Sequence, residues 1–99
     1  MTTKEVVETL KSHKQKFEDK FNAKIIALFG SYARNEQKTE SDIDILYQPL
    51  DKQNFGLKEI VNLEDYIKKL FKVDKVDLVD KDYINPIIEL EIQDDIVYV

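Results

Sequence analysis

The chain predicts a two-layer α/β domain, a mixed β-sheet of about four strands with helices on one face. Three observations carry this. Runs of strand length occur at residues 25–29 and 43–47, largely apolar, and at 73–80, where apolar and charged residues interleave. Two longer stretches, 2–21 and 57–71, repeat their apolar residues at helical spacing. The second of these lies between two strand candidates, where a helical crossover and a parallel strand pair are expected. Ninety-nine residues are enough for a single core, so residues 1–99 are expected to form one domain.

The elements follow in order. Residues 2–21 read as one helix. Thr2 and Glu5 have capping-box spacing, and Val6, Val7, Leu10, Phe17 and Phe21 fall on one side. His13 is the only histidine and has no ligating neighbour in sequence, so it reads as a helix-surface residue. Asn22 and Ala23 end the helix. Residues 25–29 are a strand covered on both faces. Gly30 stops it, allowing a sharp turn and a close ligand approach. Residues 31–34 read as the first turn of a helix, whose free N–H groups favour an anion such as phosphate. Residues 35–40 are a polar loop in which Lys38 reads as a solvated cation.

The next strand opens with Asp42 and Asp44 flanking Ile43. Residues two apart face one side of a strand, about 7 Å apart, so both carboxylates point one way while Ile43 and Ile45 enter the core. Residues 48–56, with Pro49 and Gly56, are a connection. The helix over 57–71 places Leu57, Ile60, Val61, Ile67, Leu70 and Phe71 on a shared face. In the strand over 73–80, Val76 and Leu78 face the helices and Asp77 faces the side of Asp42 and Asp44. Asp80 falls on the Val76 side, and Asp74 and Asp82 read as turn residues. Residues 83–93 are a helix with Pro86 near its start. Residues 96–99 read as a last strand, at a sheet edge or against another chain.

This pattern points to a chemistry. Paired carboxylates supply hard oxygen ligands suited to Mg²⁺ or Mn²⁺. The Gly30-Ser31 corner is a place for phosphate, so residues 25–47 read as a site for two divalent metals and a nucleoside triphosphate. A lone Gly-Ser is commonly a turn, and a lone Asp-x-Asp a solvated strand end. The signal lies in finding both at the facing ends of consecutive strands, eleven residues apart from Ser31 to Asp42. The face bearing the carboxylates should stay open, because helices on both faces would bury them.

Composition narrows the function further. Without cysteine there are no disulfides or thiolate metal sites. A net charge of −5 argues against a general grip on nucleic acid. It also repels a triphosphate, which divalent metals at the aspartates would relieve. No apolar run has the length of a signal peptide or membrane span, so a cytoplasmic protein is expected.

Gly30-Ser31-Tyr32-Ala33-Arg34 followed by Ser41-Asp42-Ile43-Asp44 resembles the signature of the nucleotidyltransferase superfamily with the polymerase β fold. More narrowly, it resembles the minimal nucleotidyltransferases, the MNT or MntA-type proteins of prokaryotic toxin–antitoxin pairs. The resemblance covers nearly the whole chain. One departure is Asn35, where many relatives carry Gly, and Asn tolerates left-handed backbone. The resemblance implies a polymerase β-like fold, with Asp42, Asp44 and Asp77 as catalytic residues and ligands of two Mg²⁺ or Mn²⁺ ions. It implies Gly30, Ser31, Arg34 and Ser41 as the residues that bind ATP. The implied activity is transfer of AMP from ATP to a hydroxyl, a tyrosine's, on a helical HEPN-type toxin. The chain would then be the antitoxin of a type VII pair, in a hetero-oligomer. With one strand after its core, the chain is expected to lack an acceptor-binding domain of its own. Two alternatives stay open: an inactive antitoxin that neutralises its partner by binding alone, and a catalytic subunit that modifies a small-molecule hydroxyl.

Overall fold

Two helices, not one, open the chain in the computed structural model, which describes residues 1–38, 42–93 and 95–99. Helix α1 (Thr3–Ser12) starts at the expected capping box, with Thr2 Oγ1 accepting from the Glu5 N–H at 3.1 Å. It ends at His13, and α2 (Lys14–Phe21) follows. The break corrects the single helix expected over 2–21, and local hydrogen bonding accounts for it. Ser12 Oγ donates to the Thr9 carbonyl at 2.9 Å, and His13 Nδ1 lies 2.9 Å from the same oxygen. These side chains compete for a carbonyl that a continuous helix would use alone. Asn22, left-handed at φ 54°, closes α2 as a C-cap.

Strand β1 (Ala23–Phe29) pairs antiparallel with β2 (Ile43–Pro49). Helix α3 (Leu57–Phe71) then crosses to β3 (Val76–Asp80), which pairs parallel with β2 as the crossover requires. Helix α4 (Pro86–Gln93) has Pro86 at its start and the Asn85 side chain accepting from the Ile88 N–H at 2.9 Å. The two-residue β4 (Val97–Tyr98) pairs antiparallel with β1. The four-stranded order is β3-β2-β1-β4, with β4 at an edge as expected.

The main core joins α1, α2 and α3 to one sheet face. It contains Val6, Leu10, Phe17, Ile25, Leu28, Ile43, Ile45, Leu63 and Ile67, all fully buried. The expected face of α3 is partly wrong. Its buried stripe is Leu63, Ile67 and Phe71, while Leu57 and Val61 are 76% and 45% exposed. On the opposite sheet face a smaller cluster covers one end: Ala27, Phe29 and Leu46, with Val79, Ile84 and Ile96 against them. The other end of that face, where Asp42 and Asp77 lie exposed, is open. Among the described residues, no helix is long and apolar enough to cross a membrane.

Candidate active site

The strand register builds the site. Alternation along β2 buries Ile43 and Ile45 under the helices and turns Asp44 to the opposite face. In the parallel ladder, Asp44 stands directly beside Asp77. Val76 and Leu78 pack on the helical side, as alternation requires. Across the antiparallel ladder Asp44 pairs with Phe29, the last residue of β1 before Gly30. Asp42 immediately precedes β2. The three aspartates selected from the sequence therefore belong to one end of the sheet, beside the Gly30-Ser31 corner.

Gly30 and Asp44 are packed against each other. Gly30 has φ +74°, and a Cβ there would run into Asp44 Oδ2 and lie 3.0 Å from its Cγ. Glycine is needed here both for the left-handed backbone and for the carboxylate beside it. The residues after it make one tight turn rather than the expected helix start. Arg34 N–H donates to the Gly30 carbonyl at 3.1 Å and Glu36 N–H to Ser31 at 2.9 Å. Asn35 closes the turn at φ 57°, where a non-glycine residue was expected to be tolerated. A single turn lacks the aligned dipoles of a full helix, so any anion preference here rests on local N–H groups and the Ser31 hydroxyl.

Electrostatics single out Asp44. Burial first, then the charges of Asp77 and Asp42, raise its carboxyl from 3.8 to about 6, while Arg34 opposes them. Asp44 is half-buried and takes the penalty, whereas Asp42 and Asp77 reach solvent. Among the described residues, no three His, Cys, Asp or Glu side chains close to ion-holding distance as they stand. Mutual repulsion of the carboxylates opposes such closure. Their hard oxygens, close enough for Asp77 and Asp42 to raise Asp44 with only Arg34 opposing, are donors of the type that a divalent cation takes.

Arg34 is already engaged. Its Nε lies 3.1 Å from Glu36 Oε2 and its Nη1 3.2 Å from Asp95 Oδ2. Two of its five N–H groups are engaged this way, and a triphosphate oxygen would meet the remaining donors in competition with these carboxylates. Ser41, the remaining residue expected at the nucleotide, lies outside the described residues. Sequence reasoning missed the residues that hold the corner: Thr3, Gln37, Glu36 and Asp95. Apart from Glu36, whose i, i+2 spacing to Arg34 is local, their partners are 29 to 61 residues away, so no local pattern announces them.

Comparison with known proteins gives the family and the fold. Residues 11–98 match the family described as polymerase beta, nucleotidyltransferase. A Methanocaldococcus jannaschii protein, provisionally named a protein adenylyltransferase, is 42% identical over 99% of this chain and 98% of its own. The protein adenylyltransferase MntA of Thermococcus cleftensis is 34% identical over 100% of this chain and 97% of its own. A solved structure, provisionally named a minimal nucleotidyltransferase, superposes with a TM-score of 0.76 at 21% identity, over 100% of this chain and 97% of that one. A toxin–antitoxin structure with AMP-PNP gives 0.67 at 21% identity, over 99% and 72%. A tri-AMPylated Shewanella oneidensis HEPN toxin in complex with an MNT antitoxin gives 0.57 at 20% identity, over 97% and 66%. The solved structures establish likeness of fold alone. Together with the corner, the register of the acids and the match along nearly the full chain, the relatives place this chain in the polymerase β nucleotidyltransferase family, among its minimal, MntA-like members.

Proposed function

We propose that the chain transfers AMP from ATP to a hydroxyl of a protein partner, a tyrosine of a helical HEPN-type toxin, and silences it as an antitoxin. The observation that carries this reading is Asp44, wedged against Gly30 on one side and paired in register with Asp77 on the other. It joins the acids to the corner. The named activity of the relatives and the toxin complexes among the fold neighbours support the choice of donor and acceptor.

Asp42, Asp44 and Asp77 would hold divalent metal, Mg²⁺ or Mn²⁺. When bound, such ions neutralise phosphate charge and polarise the α-phosphoryl group. The left-handed turn at Gly30 seats the Asp44 carboxylate against the corner, and the Ser31 hydroxyl and nearby N–H groups donate to the phosphate oxygens. Arg34 donates N–H groups that Glu36 and Asp95 do not use to a phosphate oxygen. Ser41 is assigned to the same nucleotide. The acceptor oxygen bonds to the α-phosphorus, the bond to pyrophosphate breaks, and the hydroxyl proton passes to Asp77. The expected setting is the cytoplasm, where ATP and such a partner occur together.

Incubation with ATP labelled at its α-phosphate, Mg²⁺ and the co-purified partner tests this. Label should appear on the partner and vanish with the Asp42→Ala/Asp44→Ala double substitution. Label on a small molecule, no label on anything, or label that survives the double substitution would each overturn the proposal.

A further inference from the structure

The corner is braced from the other end of the chain. Thr3, in the first turn of α1, donates its hydroxyl to the Tyr32 carbonyl and stands 3.2 Å from Asn35 Oδ1. Gln37 donates its side-chain amide to the Met1 carbonyl at 2.8 Å. The Tyr32 carbonyl also accepts the Asn35 N–H at 3.3 Å, so it takes donors from both inside and outside the turn. The Tyr32 side chain is only 5% exposed and belongs to the main core. The turn is thus pinned below by a ring and at its side by a hydroxyl. A turn of this kind has few bonds of its own and would otherwise open locally at little cost.

We infer that Thr3 is a positioning residue for the nucleotide: its hydroxyl fixes the turn after Gly30 so that Ser31 and Arg34 stay set for the triphosphate. This rests on reading the corner as the triphosphate site. Thr3 touches no substrate atom and acts through the carbonyl of Tyr32. Preorganising a binding turn lowers the ordering cost of binding, so the effect belongs in affinity for ATP.

The test compares Thr3→Val, which keeps shape and loses the donor, with Thr3→Ser, which keeps the donor. Two readouts are taken: hydrogen exchange at the amides of Arg34, Asn35 and Glu36, and kcat and KM for ATP. Thr3→Val should raise KM for ATP by about five-fold, the worth of about one hydrogen bond, with kcat within about two-fold. Exchange should quicken at those three amides and stay unchanged in β1 and β2. Thr3→Ser should restore both readouts. Unchanged KM, unchanged exchange, a loss confined to kcat, or a Thr3→Ser variant as impaired as Thr3→Val would each overturn the inference. Faster exchange with wild-type KM would overturn positioning while leaving the nucleotide site standing. A wild-type protein that neither binds nor uses ATP would overturn both.

Discussion

Gly30 has a side-chain environment already filled by its neighbour. Its backbone is left-handed, and the Asp44 carboxylate occupies the space of a Cβ. Gly30→Ala should therefore cost about 1–3 kcal/mol in urea denaturation and remove most transfer activity. Wild-type stability in that variant would show that the corner relaxes freely. Asp44 carries a pH signature. Its carboxyl is raised from 3.8 to about 6 in the folded protein, chiefly by burial and then by Asp77 and Asp42. The folded state thus holds the proton more tightly than the unfolded chain. This group's favourable contribution is present below about pH 4 and is lost as pH rises through about 6. Without metal, Asp44→Asn should stabilise the protein above pH 6, by roughly 1 kcal/mol once solvent screening is allowed for. The gain should shrink toward pH 4. Paired urea melts in a chelator at pH 7.5 and 4.5 read the difference, and a destabilised variant at pH 7.5 would contradict the electrostatic picture.

Among the elements, the strands were the most legible from sequence, because alternation fixes both their faces and the neighbours of each aspartate. Val76, Asp77 and Leu78 needed only a parallel partner to bring Asp77 beside Asp44. The helices were less so. The apolar arc of α3 is broad, and spacing alone does not say which part meets the sheet. Contact with the sheet selected Leu63, Ile67 and Phe71, leaving Leu57 outside. Leu63→Ala should therefore cost about 3 kcal/mol in urea denaturation and Leu57→Ala less than about 0.5. Comparable losses would restore the stripe read from the sequence. The break at His13 depends on side chains competing for one carbonyl, which periodicity cannot register. Arg34 joins the corner to the segment before β4 through Asp95. If a phosphate competes with that carboxylate for Arg34, Asp95→Asn should tighten binding of a non-hydrolysable ATP analogue by roughly two- to five-fold, the scale of an exposed ion pair. Calorimetry reads this directly, and weaker binding would mean that Asp95 holds Arg34 in place instead of competing for it.

At the scale of the whole molecule, the sheet does two jobs with two faces. One face is closed by α1, α2 and α3 over the main core, and the other is closed at one end and acidic at the open end. The sequence announced the acids and the corner because each sits at a strand end with its own short pattern. It did not announce the brace from Thr3 or the grip on Arg34, which exist only once the chain ends meet the corner. The net charge of −5 makes a triphosphate unwelcome over most of the surface, so binding should depend on divalent cation at one place. The most direct measurement is Mn²⁺ binding in the presence of ATP, followed by electron paramagnetic resonance. Wild-type protein is compared with the Asp42→Asn/Asp44→Asn/Asp77→Asn variant, whose fold is checked by circular dichroism. The account predicts saturable, ATP-linked Mn²⁺ binding to the wild type and none to the folded variant; equal Mn²⁺ and ATP affinity in the two proteins would contradict it.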